Sequence, residues 1–148
     1  MKNFLFAAAA PYDPVIRNGH VIDGTGSPWY AADIGIRAGK IAEIGRLAGG
    51  AAKRTIDARG MVVAPGFIDM LGQSETTIPV NPHLPSKIFQ GITAEITGEG
   101  SSIAPLNDAI LKAGHVTWEH YGVQATWRSF RDYFARLRKQ GIGINLAS

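Results

Sequence analysis

Two hydrophobic rhythms divide the chain. From Tyr12 to Val63, apolar residues alternate with polar ones in short runs broken by Gly, Asn and Asp, which is the two-residue repeat of half-buried strands. The runs cover 15–19, 20–26 and 32–45, with a further short strand at 55–58 and another at 61–63. Asn18-Gly19 and Ala38-Gly39 stand where a tight hairpin needs positive φ, so a small antiparallel β unit is expected. Gly49-Gly50-Ala51-Ala52 reads as a loop tip. After Pro65 the apolar runs lengthen, at 66–69, 91–97 and 141–146, too continuous for a sheet with one wet face. Between the last two, Trp127, Phe130, Phe134 and Leu137 recur at three and four residues, with Thr126 or a neighbour as cap and Gly141 as stop. A shorter helix is expected over 85–90. Strand, helix, strand, helix, strand is the grammar of a parallel sheet.

Composition sharpens this picture only in places. At 148 residues and 45% hydrophobic, the chain can bury the core of an ordinary domain, whereas a complete eight-stranded α/β barrel needs roughly 250 residues. Three parallel strands cannot close on themselves, so a piece of a larger fold is expected, with an open sheet edge able to self-associate. The net charge of +3 includes Arg128, Arg131, Arg136, Arg138 and Lys139 on the predicted helix. No aromatic platform or recognition motif accompanies them, so they read as a solvated face and no nucleic-acid partner is expected. The absence of cysteine excludes disulfides and thiolate metal sites. No apolar run approaches the roughly 20 residues of a membrane span. Residues 1–11 read as a leader or a signal remnant, with a cytoplasmic location in the first case and a periplasmic or secreted one in the second.

The phrase 12–26, then Ala32-Asp33-Ile34-Gly35-Ile36, Gly39-Lys40-Ile41, Ile56-Asp57-Ala58-Arg59-Gly60 and Val63-Ala-Pro-Gly-Phe-Ile-Asp69 resembles the opening of amidohydrolase-superfamily enzymes, closest to the N-acyl-D-amino-acid deacylases. The similarity continues through Lys87-Ile88, Gln90-Gly91-Ile92-Thr93 and Ala104-Pro105. The resemblance implies α/β architecture with a small β unit: 12–64 as part of a β-sandwich, and 65–148 as the first three strands of an incomplete (β/α)8 barrel. It also implies zinc at the barrel mouth and metal-activated water cleaving a non-peptide C–N bond of a small N-acyl amino acid.

In that family the strand ending at Asp69 runs on into His-x-His, where this chain has Leu71-Gly72-Gln73. Side chains at i and i+2 of an extended segment share a direction, so two imidazoles there could grip one ion. Leucine offers no lone pair and glutamine only a neutral carbonyl oxygen, so the first metal site is compromised. Glu99 falls where the deacylases place a cysteine ligand and is the candidate metal ligand. Asp69 is a candidate second-sphere group, Gln73 and Glu75 are candidate substrate contacts, and Glu95 reads as a paired core carboxylate. His115 and His120 read as packing residues of a loop. The family's later histidines and aspartate fall beyond Ser148, so the chain by itself is expected to be inactive. The alternatives are a non-catalytic, degenerate module that binds a partner and a fragment of a dihydropyrimidinase-like or dihydroorotase-like cyclic amidohydrolase.

Overall fold

The computed structural model describes residues 12–47, 49, 51–100 and 102–148. The expected leader, and Gly50 of the expected loop tip, lie outside the described residues. The chain divides into two compact units between Pro65 and Gly66.

The first unit is a five-stranded sheet built around β1 (Tyr12–Val21). On one side β1 pairs antiparallel with β2 (Tyr30–Arg37), which forms a hairpin with β3 (Lys40–Gly45). On the other side it runs parallel to β4 (Ala52–Asp57) and to β5 (Val62–Val63). The sheet is therefore mixed, and the expectation of an antiparallel unit is corrected. Ala38-Gly39 turns the β2–β3 hairpin with φ of 50° and 72°, as its residue types require.

Asn18-Gly19 does not turn the chain. Asn18 has φ of 61° inside β1, and the register with β2 shifts between Ile16 and Gly19. This is a bulge, and an extra residue in a strand sends the following side chains to the opposite face. Val15 accordingly packs with Tyr12 and Leu47, while Val21, six residues on, packs with Ala32 and Ile34 in a separate cluster. The positive φ is held from the sides. Asn18 N–H donates to Asp33 Oδ1 and Asn18 Nδ2 to Asp57 Oδ1, both at 2.9 Å. At Gly19 a Cβ would fall 2.6 Å from Val63 Cγ2, so only glycine lets β5 approach.

The second unit holds a parallel sheet of three strands in the order β6 (Phe67–Asp69), β7 (Ile92–Ile96) and β8 (Asn145–Ala147). Helix α1 (Pro85–Ile88) precedes β7. Helices α2 (Asp108–Ala113), α3 (His115–His120) and α4 (Phe130–Gln140) lie between β7 and β8. The α4 cap is Ser129 and not Thr126: Ser129 Oγ accepts from Asp132 N–H while the Asp132 side chain accepts from the Ser129 N–H. Trp127 precedes the helix and is buried, with its Nε1 donating to Ile103 O at 2.9 Å. The core gathers Ile78, Leu84, Ile103, Trp127, Tyr133, Leu137 and Ile144. Strand β8 begins at Asn145, later than the apolar run suggests. Gly143 N–H is drawn off to Pro82 O at 2.8 Å and Ile144 is committed to the core.

Candidate functional site

The C-terminal ends of parallel strands, with the loops that follow them, are where an α/β sheet presents chemistry. In the second unit, β6 ends at Asp69, which is the register partner of Glu95 on β7. The two carboxylates share one cation. Lys87 Nζ, from α1, lies 2.5 Å from Asp69 Oδ2 and 3.3 Å from Glu95 Oε2. Glu95 is completely buried and accepts from both Ser74 N–H and Ser74 Oγ at 2.9 Å. It is the paired core carboxylate that its position in the strand suggested.

The electrostatics follow from those contacts. The hydrogen bond from Lys87, helped by the Leu71 N–H at 3.1 Å, holds the Asp69 carboxyl below the ordinary aspartate range. Burial is the strongest single influence on Lys87 and pulls its pKa down, but the bond to Asp69 and the charge of Glu95 together outweigh it, and the net direction is upward. Tyr133 is completely buried, and that burial raises its hydroxyl far above the ordinary range, with the charges of Glu75 and Glu95 adding to the effect. Its hydroxyl donates to the Glu75 backbone carbonyl at 2.7 Å.

The turn between Asp69 and Ser74 carries positions 71 and 73, where the resemblance would place a pair of metal-ligating histidines. Leu71 and Gln73 are exposed, while Gly72 between them is buried and its N–H donates to Ile96 O at 2.9 Å. Glu75 is only 5% exposed and lines a cavity with Thr76, Ser102, Ile103, Leu106 and Trp118, where its Oε2 has no hydrogen-bond partner. Glu99 is exposed in the loop after β7, between Gly98 and Gly100, both at positive φ.

The residues present do not fit a metal ion at the first position. Leucine and an exposed amide hold 71 and 73, and Asp69 is already engaged by an ammonium. No group of three or more His, Cys, Asp or Glu side chains that could hold a metal ion occurs among the described residues. The histidines are used elsewhere. His20 stacks on Trp29 at 4.0 Å in the first unit. His115 and His120 lie in helix α3 and not in a loop, His115 facing Glu119 at 3.3 Å on the surface. That helix follows α2, which Asn107 caps by accepting from Ile110 N–H at 2.8 Å. Sequence reading missed the site's centre, Lys87 with Ser74. The one available signal was a lysine in the last turn of a short helix feeding a strand with an interior glutamate.

No family model matches the chain. It is 36% identical over 138 residues to the D-aminoacylase of Alcaligenes xylosoxydans xylosoxydans, covering 93% of this chain and 28% of that protein. Among solved structures, N-acyl-D-glutamate deacylase from Bordetella bronchiseptica, complexed with zinc and a phosphonate mimic of the tetrahedral intermediate, superposes with a TM-score of 0.79 at 37% identity, over 93% of this chain and 29% of that one. A D-aminoacylase structure described for its binuclear metal centre, with one-metal activation and second-metal attenuation, gives 0.78 at 34%, over 92% and 29%. The chain spans less than a third of the length of these relatives.

Proposed function

We propose, on the premise that this chain belongs to the amidohydrolase superfamily beside its N-acyl-D-amino-acid deacylases, that it supplies part of a hydrolase cleaving the non-peptide C–N bond of N-acyl-D-amino acids. The first unit would be part of a β-sandwich and the second the opening strands of a (β/α)8 barrel. The observation that carries this reading is the shared fold and sequence along nearly the whole chain, with the ends of β6 and β7 arranged as a site edge. Zinc, when bound, would supply an activated water and polarise the acyl carbonyl. Glu99 is the residue of this chain proposed to hold it, since a carboxylate in the loop after a barrel strand is a legitimate ligand. Gln73 is the proposed substrate contact at the rim, with Glu75 behind it. One carboxylate does not make a zinc site, so the chain by itself is proposed to be inactive, with further ligands coming from protein outside it.

The rival reading, a non-catalytic module, is favoured by Leu71 and Gln73 in place of ligands. Hydrolysis separates the two. N-acetyl-D-glutamate and N-acetyl-D-methionine, with their L-forms, are incubated with zinc and with the chain alone or fused to the remaining length of a D-aminoacylase, and free amino acid is assayed. The expected result is silence from the chain alone and D-selective release by the fusion, lost on Glu99→Ala. A folded but inert fusion would favour the module. Turnover by the chain alone would overturn the claim of inactivity.

A further inference from the structure

The second unit holds a pocket of about 190 Å³ between the loop after β6, the loop after β7 and helices α2 and α3. Its walls are Ile103, Leu106, Ile110 and the Trp118 indole, with Glu75 and Ser102 as polar members. Ile110 is 47% exposed, so the pocket is open to solvent on the α2 side. Two of these side chains keep a buried polar atom without a hydrogen-bond partner, Glu75 Oε2 and Trp118 Nε1. Such atoms are rare in folded proteins, and each calls for an explanation. Glu75 is only 5% exposed, and a buried carboxylate is tolerated when a counter-charge meets it. The ion pairs of the second unit use Lys87, His115 and Arg128, and among the described residues none reaches Glu75.

The walls are fixed by their own contacts. The Glu75 carbonyl accepts from the buried Tyr133 hydroxyl at 2.7 Å, and the Ile103 carbonyl accepts from Trp127 Nε1 at 2.9 Å. The Trp118 ring stands edge-on to Trp127 at 5.8 Å, and Gly114 makes room for it, since a Cβ there would fall 2.7 Å from Trp118 Nε1. What this preformed pocket lacks is a partner for one acceptor and one donor, because an ionised carboxylate only accepts and an indole nitrogen only donates. Its volume suits a molecule of modest size, as apolar cavities of about 150 Å³ take up benzene. We infer that the pocket binds a small organic amine. Its ammonium meets Glu75, an oxygen on the same molecule accepts from Trp118 Nε1, and its short aliphatic body lies against Ile103, Leu106 and Ile110. This goes beyond the hydrolase reading, because neither Gln73 nor Glu99 lines the pocket and binding requires neither zinc nor turnover.

The experiment titrates the full chain, without zinc, with three probes by calorimetry: leucinol, isohexanol, which lacks the ammonium, and isoamylamine, which lacks the oxygen. Leucinol is expected to bind saturably at one site. Isohexanol should bind about ten- to a hundredfold more weakly, because it leaves Glu75 without a counter-charge, and isoamylamine about three- to tenfold more weakly, because it leaves the indole N–H unmet. Glu75→Gln should bring leucinol down to the level of the alcohol, and Trp118→Phe should hold leucinol no better than isoamylamine. The inference is overturned if leucinol gives no saturable heat at millimolar concentration, as a pocket filled by water alone would. It is equally overturned if isohexanol binds as tightly as leucinol, or if folded Glu75→Gln binds leucinol as well as the parent does. Should Glu75→Gln fail to fold, the parent's own ranking of the three probes and the Trp118→Phe variant still decide.

Discussion

A lysine lodged between two carboxylates makes stability depend on pH from both sides. Asp69 has its folded pKa lowered, chiefly by the Lys87 hydrogen bond, so its contribution is present above about 3.9, the unfolded value, and is lost as pH falls through the lower folded value. Lys87 has its folded pKa raised, so its contribution is full below about 10.4 and disappears as pH climbs through the folded value. Urea midpoints measured from pH 3 to 11 should therefore fall at both extremes. Lys87→Met should flatten both limbs, and Asp69→Asn should flatten the acid limb and weaken the basic one, since its bond is the foremost influence raising Lys87; a parent curve indifferent to Lys87→Met would contradict the coupling. Glu95 carries the larger single burden because it has no exposure at all. Glu95→Gln keeps the shape but leaves Lys87 with one counter-ion and Ser74 with a weaker acceptor, and should lower unfolding free energy by about 2–3 kcal/mol in urea titrations. The carboxylate's structural role was legible from its position inside a strand. Its partner was not, because Lys87 and Glu95 meet only once α1 has turned back over the sheet.

Local chemistry sets each element, but long-range contacts decide what that chemistry is used for. Ala38-Gly39 makes the turn its residue types favour, while Asn18-Gly19, an equally good turn by composition, becomes a bulge. The difference lies outside the dipeptide: Asp33 and Asp57 hold Asn18, and Val63 closes over Gly19. No neighbouring residue in sequence announces those partners. Gly19→Ala should therefore be far more damaging than Gly24→Ala or Gly26→Ala, where a Cβ would meet nothing within 4 Å although φ is positive. Comparison of the three thermal midpoints tests this directly. In the second unit the existence of α4 followed from its apolar spacing, but its start was displaced because Trp127 is held by Ile103 before the helix begins. Ser129→Ala removes the reciprocal cap with Asp132 and should destabilise the chain by about 1 kcal/mol. Thr126→Ala, outside the cap, should not. Helices α2 and α3 escaped the sequence reading because each is only six residues long, too short for a repeat to declare itself.

For the molecule as a whole, the continuous apolar runs after Pro65 predict strands of a parallel sheet, and the second unit holds three parallel strands in the order β6, β7 and β8. The covering itself is incomplete. Phe67 and Ile68 on edge strand β6 are each 61% exposed, Leu71 is as exposed as they are, and Phe89 at the end of α1 reaches 90%. Apolar side chains beside the open edge of a sheet invite another chain, since both water-ordered surface and unpaired backbone groups are relieved by contact. The chain should accordingly self-associate as its concentration rises, with sedimentation velocity showing weight-average mass above that of one copy. Phe67→Lys combined with Phe89→Lys should shift that distribution toward the single copy, because a charge beside an edge strand opposes pairing while leaving the ladder from β6 to β7 unbroken. High salt should leave the parent's association intact, as apolar contact is not screened. A parent that sediments as one copy across the whole range, or a double variant that associates as readily, would mean that these side chains find their cover within the same molecule.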